Sequence, residues 1–172
     1  MKKELVVFSL GGSLIVPEKV DYKYLHRFRL FIEKLERKYY IVIVTGGGKT
    51  ARNYIKAVRK EKLNDYYEST IGIETTKLNA RLLAGYLELK CRIPDNLREV
   101  KEELINHRIV VCGALGFQPD MTSDGDAAQI AAYLKAKYFI NLTNVNGLYD
   151  KDPNKYKNAT LIKKINYRKF SE

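Results

Sequence analysis

The stretch YYIVIVTGGGK, residues 39–49, decides the fold class. Its apolar run predicts a buried strand over residues 39–45, and three glycines follow at once. Residues 51–62 then have the composition of a helix, with Tyr54, Ile55 and Val58 on its apolar side. A buried strand that ends in glycines before a helix is typical of a parallel sheet covered by helices.

The preceding segment repeats this pattern. Residues 5–10 form a second short apolar run, which ends at Gly11 and Gly12. Between the two runs, apolar residues recur at helical spacing after Asp21, which is a suitable N-cap. A strand, a helix and a strand in this order predict a right-handed crossover and a parallel pair of strands.

The remaining segments extend the same architecture. Two further buried strands are expected, at residues 108–112 and 138–143, and a last short strand at 161–165. Helices are expected at residues 72–89, 97–105 and 124–135. The sequence therefore predicts one α/β domain over residues 1–172, a three-layer αβα sandwich with a mainly parallel sheet, whose ligands would bind at the carboxyl ends of the strands.

Composition excludes several classes of protein. The 172 residues include 31 Lys and Arg against 20 Asp and Glu, a net charge of +11. These basic residues are spread along the chain, which favours a solvated surface that attracts small anions over a nucleic-acid interface. Two cysteines and two histidines are too few for a disulfide framework and barely supply the ligands of a zinc site. No apolar run approaches the roughly 20 residues of a membrane span, so we expect a cytoplasmic protein without membrane or nucleic-acid partners.

Two glycine loops are candidate phosphate sites. In Gly11-Gly12-Ser13 the backbone N–H groups can approach an anion closely, although a plain tight turn is an equal alternative. In Gly46-Gly47-Gly48 the loop opens a helix, and Arg52 lies one turn further on, where its guanidinium can bind the same phosphate. The alternative is a flexible turn with a solvated arginine. Two such loops on neighbouring strands, facing each other across a gap, suit phosphoryl transfer.

Residues 122–124 and the segment around Tyr149 are weaker evidence for a phosphate or nucleotide site. Thr122 or Ser123 could bind a phosphate, and Asp124 could orient a lysine or a magnesium-bound water, but such residues routinely cap helices, and for this segment alone the capping interpretation is favoured. Further on, Tyr149 could pack against a base, or it could belong to a surface turn.

Taken in order, these motifs resemble the amino acid kinase superfamily. They are Gly-Gly-Ser at residues 11–13, Gly-Gly-Gly-Lys-Thr-Ala-Arg at 46–52, Ile-Gly-Ile at 71–73 with Asn-Ala at 79–80, Thr-Ser-Asp at 122–124, and Thr-Asn-Val-Asn-Gly-Leu-Tyr-Asp-Lys-Asp-Pro at 143–153. Within the superfamily the sequence looks most similar to archaeal uridylate kinases. The resemblance runs from about residue 5 to residue 164.

The resemblance implies transfer of the γ-phosphoryl group of ATP to a small phosphorylated acceptor, UMP in that branch, with Mg²⁺ assisting. It implies an acceptor-binding half over about residues 1–120 and part of an ATP-binding half over about 121–172. Residues implied in catalysis are Gly11, Gly12, Ser13 and Asp124. Residues implied in acceptor binding are Gly46, Gly47, Gly48, Arg52, Ser69 and Thr122. Residues implied on the ATP side are Ser9, Thr143, Asn146, Tyr149 and Asp152. No metal site formed by protein side chains is expected. The resemblance implies a homo-oligomer, either a dimer or a hexamer.

Three features depart from the family pattern. Ser9 stands where many members have a lysine, and Ser69 stands where uridylate kinases have an aspartate that binds the acceptor ribose. Family members also continue past residue 172, so the ATP-binding half is expected to be incomplete here. The alternatives are a non-catalytic nucleotide- or anion-binding member, and a kinase for another small phosphate such as isopentenyl phosphate or an aminomethylfuran phosphate. A nucleic-acid binder is the least favoured.

Overall fold

Four parallel strands form the central sheet. The computed structural model describes residues 4–117 and 121–166. The strands are β1 (Glu4–Leu10), β2 (Tyr39–Thr45), β3 (Ile109–Cys112) and β4 (Tyr138–Leu142). Their order in the sheet is β3-β2-β1-β4, and every pairing is parallel. The predicted α/β class and parallel sheet are confirmed, and the strand predicted over residues 39–45 has those bounds.

Six helices lie within the described residues. They are α1 (Gly12–Ile15), α2 (Tyr22–Leu35), α3 (Gly48–Lys60), α4 (Asp65–Tyr86), α5 (Leu97–Asn106) and α6 (Ser123–Tyr133). Helix α2 begins as predicted, because the carboxylate of Asp21 accepts a hydrogen bond of 2.9 Å from the N–H of Tyr24. An N-cap of this kind satisfies one of the unpaired N–H groups at a helix start.

Three local predictions differ from the structure. Helix α4 begins at Asp65, seven residues before the predicted start, where the side chain of Asn64 accepts a hydrogen bond from the N–H of Tyr66. The four-residue helix α1 was not predicted. The strand expected over residues 161–165 is wrong, because only Leu161 pairs, in an isolated antiparallel bridge with Tyr149.

The two faces of the sheet carry separate apolar clusters. On β1, Val6, Phe8 and Leu10 face one way and pack with residues of α2 and α4. Val7 faces the other way and packs with residues of α5 and α6. Each fully buried aliphatic or aromatic side chain contributes about 1.5–3 kcal/mol. Helices therefore cover both faces, which confirms the three-layer sandwich.

The outer strand β4 is much more exposed than the other three. Tyr138, Phe139 and Ile140 are 43%, 45% and 38% exposed, and among the described residues β4 pairs with β1 alone. Within the described ranges, β4 is therefore an apolar edge strand. Across the described ranges, none of the helices combines the length and the apolarity of a membrane span.

The chain divides into two compact units, with the boundary between Leu142 and Thr143. The first unit contains the sheet and all six helices. In the second, Ile162 N–H donates to the carbonyl of Leu148 and Asp150 N–H donates to the carbonyl of Thr160. The assignment of acceptor binding to residues 1–120 and of ATP binding to residues 121–172 stays a prediction.

Candidate active site

The two glycine loops meet at the carboxyl ends of β1 and β2. These strands pair in parallel with Leu10 opposite Thr45, so the loops leave the sheet side by side. The N–H of Gly46 donates to the carbonyl of Leu10 at 2.9 Å, and the N–H of Lys49 donates to the carbonyl of Val16 at 2.9 Å. We call residues 11–13 and 46–48 together the glycine junction.

The junction has no room for side chains. A methyl group on Gly12 would lie 2.6 Å from the carbonyl carbon of Gly46, and closer still to the amide nitrogen of Gly48. Gly48 has φ +65, a conformation that favours glycine, and a methyl group there would lie 2.9 Å from the carbonyl carbon of Gly12. The loops were expected to face each other across a gap. They are instead in direct backbone contact, and the glycines make that contact possible.

Several backbone N–H groups of the junction remain available to a ligand. Within the described part of the chain, no protein acceptor pairs with the N–H groups of Gly12, Ser13, Gly47 or Gly48. Gly11 differs, because its N–H donates to the carbonyl of Leu142 at 2.9 Å. Unpaired N–H groups at a helix start favour an anion, and α3 starts at Gly48.

A buried polar network fixes the junction from behind. The amide of Asn79 on α4 donates to the carbonyl of Gly46 at 2.7 Å. The hydroxyl of Thr45 donates to the carbonyl of Thr76 at 2.8 Å, and the hydroxyl of Thr76 accepts from the N–H of Ala114 at 2.8 Å. The sequence had indicated Asn79 only as part of a motif. Polar residues at buried positions of a helix were the available signal.

The start of α6 lies beside the junction. The hydroxyl of Ser123 lies 3.3 Å from the position that a methyl group on Gly46 would occupy. Ser9, fully buried on β1, donates its hydroxyl hydrogen bond to Asp124, whose side chain is otherwise exposed. The hydroxyl of Thr122 accepts a hydrogen bond from the N–H of Gly125, so it does cap the helix.

A cavity of about 660 Å³ opens next to the junction. Gly47 and Ser69, both predicted to bind the acceptor, line it, as does Ser123. The other residues predicted for the acceptor, which are Gly46, Gly48, Arg52 and Thr122, are not part of its wall. Gly46 and Gly48 still belong to the junction that adjoins it.

Two arginines of α3 occupy different places. Arg52 is exposed and has no ion-pair partner within the described residues. Arg59, two turns further on, lines the cavity and pairs with Glu68 of α4 at 2.7 Å. Glu68 therefore pairs with the positive charge of Arg59, whereas the guanidinium of Arg52 is available to bind an anion.

The cavity wall also contains a buried carboxyl that the sequence analysis did not select. Asp126 is only 2% exposed, and burial raises its pKa above the usual value. Burial likewise raises the pKa of the neighbouring Cys112 thiol far above its ordinary range, and the negative charge of Asp126 adds to this effect. Cys112 is therefore a packed, unreactive thiol.

The residues predicted on the ATP side lie in the second unit, Ser9 excepted. Thr143 donates its hydroxyl hydrogen bond to the side chain of Asn144, and Tyr149 forms the bridge to Leu161. Asp152 accepts from the N–H of Asn154 at 2.9 Å, and this bond lowers its pKa. Asn146 is exposed. These contacts describe a turn-rich segment that is held together locally.

The model of the amino acid kinase family matches residues 4–172. The chain belongs to the amino acid kinase family. The resemblance stated from the motifs is thereby confirmed.

Similar kinases come from archaea. The chain is 39% identical over 162 residues to a uridylate kinase of Methanobrevibacter smithii, covering 93% of this chain and 71% of the relative. It is 40% identical over 166 residues to a uridylate kinase of Thermoplasma volcanium, covering 96% and 72%. The crystal structure of the uridylate kinase of Archaeoglobus fulgidus superposes with a TM-score of 0.79 at 36% identity, covering 91% of this chain and 71% of that one.

Proposed function

We propose that this member of the amino acid kinase family transfers the γ-phosphoryl group of ATP to UMP. Relatives named uridylate kinase, at 34–40% identity over most of the chain, support the reaction and the acceptor. One structural observation carries the proposal. Gly47 of the glycine junction lines the cavity, and so does Ser123 beside the junction, so an acceptor in the cavity would hold its phosphate near unpaired N–H groups.

The proposed roles are taken from the motifs, and for Gly47 and Ser69 the position in the cavity wall supports them. Gly11, Gly12 and Ser13 lie against the transferring phosphates. Gly46, Gly47, Gly48 and Arg52 hold the acceptor's own phosphate, and Ser69 and Thr122 touch the acceptor. Catalysis of this kind needs alignment and charge stabilisation more than covalent chemistry. A junction whose backbone is fixed by Asn79 supplies the alignment, since its N–H groups need no rearrangement when the phosphates arrive.

Asp124 organises the catalytic centre in this proposal. Its bond from Ser9 fixes the carboxylate at the carboxyl end of β1. The described residues contain no cluster of three or more side chains able to hold a metal ion. The exposed carboxylate of Asp124 suits a Mg²⁺ ion that is held mainly by phosphate oxygens, because Asp124 can orient a water bound to that ion. When bound, the ion offsets negative charge on the phosphates.

The remaining assignments are also proposals. Ser9, Thr143, Asn146, Tyr149 and Asp152 are assigned to the ATP side on the strength of the motifs. A homo-oligomer, either dimer or hexamer, is proposed from the resemblance to the family alone. A cytoplasmic location agrees with an enzyme that uses ATP and a free nucleotide.

An acceptor panel tests the function. The protein is incubated with ATP, Mg²⁺ and UMP, CMP, isopentenyl phosphate or an aminomethylfuran phosphate, and ADP release is measured. We expect UMP to give the highest kcat/KM. A higher value for another acceptor would move the protein to a related kinase, a result for which Ser69 in the cavity wall provides a reason. Nucleotide binding without ADP release from any acceptor would establish a non-catalytic member.

A further inference from the structure

The carboxyl of Asp126 is almost buried yet incompletely paired. Its only hydrogen bond to the described residues comes from the N–H of Leu115, which reaches Oδ1 at 3.4 Å. Oδ2 has no partner there. No fully buried side-chain oxygen or nitrogen of the described residues lacks a hydrogen bond, so Oδ2 must retain some access to solvent. Asp126 is one of the residues that line the cavity, so the geometry points to the cavity as the source of that access.

A carboxyl in this position has energetic consequences for what fills the cavity. An apolar group placed against Oδ2 would remove its water and leave a buried acceptor unpaired, which weakens the binding of such a group. A ligand N–H or O–H placed there would instead form a charge-assisted hydrogen bond. The cavity therefore discriminates by the polarity of the part of the ligand that reaches Asp126.

The surroundings distinguish Asp126 from the other carboxyls of the cavity. Glu68 is committed to its ion pair with Arg59. Asp65 is exposed, so water pairs with it whether or not a ligand is present. Only Asp126, at 2% exposure, combines desolvation with an open oxygen among the described wall residues. The raised pKa of this carboxyl agrees with its desolvation.

We propose that Asp126 is the specificity-determining residue of the acceptor cavity, where its carboxyl accepts a hydrogen bond from an N–H or O–H of the acceptor and thereby excludes phosphorylated hydrocarbons. The inference rests on the proposed function, in that the cavity holds the acceptor. Asp126 then requires that the acceptor have a hydrogen-bond donor remote from its phosphate. A nucleotide has such a donor, and an isoprenoid phosphate does not.

The test compares two carboxyls of one cavity. Calorimetry gives the Kd of UMP and of isopentenyl phosphate for the full chain and for its Asp126→Asn and Asp65→Asn variants. We expect isopentenyl phosphate to bind the unmodified chain at least about 10-fold more weakly than UMP. Asp126→Asn should weaken UMP binding about 10-fold, and Asp65→Asn should change it less than about 2-fold.

An additional variant tests the exclusion directly. Leucine is similar in volume to aspartate. Asp126→Leu should therefore decrease the ratio of the Kd of isopentenyl phosphate to the Kd of UMP at least about 10-fold. Thermal unfolding of each variant establishes that it is folded. If Asp126→Leu does not fold, the two ligands on the unmodified chain still decide, since equal Kd values would overturn the proposal. Equal effects of Asp126→Asn and Asp65→Asn would also overturn it.

Binding and turnover separate this proposal from the function itself. Loss of ADP release from every acceptor, with UMP binding that still depends on Asp126, would contradict the kinase and leave the specificity role standing. If the protein phosphorylates UMP but its Kd for UMP is unchanged by Asp126→Asn, the kinase function stands and the specificity role of Asp126 is contradicted.

Discussion

The glycine junction and the cavity beside it adjoin each other but are built differently. The junction consists of backbone in direct contact, with Gly12 against Gly46 and Gly48. The cavity wall consists mainly of side chains, including the exposed Arg59 and the buried Asp126. A change in the junction must move backbone, whereas a change in the wall can alter a single ligand contact. The two regions should therefore respond differently to substitution. Changes in the junction should affect kcat and stability, whereas changes in the cavity wall should affect acceptor affinity.

The largest effect is expected for Gly12→Ala. The added methyl group would overlap the backbone of Gly46 and Gly48, so we expect a loss of stability of about 3 kcal/mol and a decrease in kcat of about 100-fold. Thermal unfolding and steady-state kinetics measure both. Gly85→Ala is the matched control, because a methyl group on that helical glycine meets nothing within 4 Å. The control should gain about 0.5–1 kcal/mol. A Gly12→Ala variant as active as Gly85→Ala would refute the close contact.

Arg52→Ala should come next and should affect affinity alone. Loss of a charge-assisted contact to the acceptor phosphate is worth about 1.5–3 kcal/mol, so the KM for UMP should increase about 10- to 100-fold while kcat changes little. Lys56→Ala, an exposed cation one turn further along α3, is the control. Equal KM values for the two variants would remove Arg52 from the acceptor site.

A smaller effect is expected for Asn79→Ala, which acts on the junction from behind. The carbonyl of Gly46 would lose its buried partner, at a cost of about 1–3 kcal/mol in stability, and kcat should fall about 10-fold through misalignment. Leu78→Ala, at a neighbouring position that is 57% exposed, should change neither quantity appreciably. If kcat is unchanged although Asn79→Ala lowers stability, the network supports the fold without positioning the junction.

The smallest effect concerns the pH dependence of stability. Burial raises the pKa of Asp126 in the folded protein, so as pH increases past the ordinary carboxyl pKa, the unfolded chain releases its proton before the folded chain does. Asp126 therefore lowers stability as pH increases toward its folded-state pKa. Asp126→Asn removes this contribution, and its Tm relative to the unmodified chain should be higher at pH 7 than at pH 4. A difference in Tm that does not vary with pH would contradict the desolvation of this carboxyl.

The sequence predicted the parts of the molecule that depend on local pattern. Strand β2 and the Asp21 cap of α2 follow from an apolar run and from a capping residue, and both are confirmed. The start of α4 was missed because residues 65–71 lack apolar periodicity, and the short α1 is too brief to show any. In the segment 161–165, the adjacent apolar residues Leu161 and Ile162 suggest a strand, but only Leu161 pairs, in an isolated bridge.

Long-range packing explains what the sequence left open at the site. Two contacts join elements that are far apart in the chain: the one between the two glycine loops and the bond from Asn79 to Gly46. The burial of Asp126 likewise depends on the packing around α6 and not on local pattern. The glycines themselves were found because they interrupt apolar runs. The capping role of Thr122, which was the favoured interpretation for its segment, is confirmed.

The most direct test is a crystal structure of the protein with UMP and a non-hydrolysable ATP analogue. We expect UMP in the cavity, with its phosphate accepting hydrogen bonds from the N–H groups of Gly47 and Gly48 and from Arg52. The γ-phosphate of the analogue should lie against Gly12. UMP bound away from the carboxyl ends of β1 and β2 would contradict this expectation.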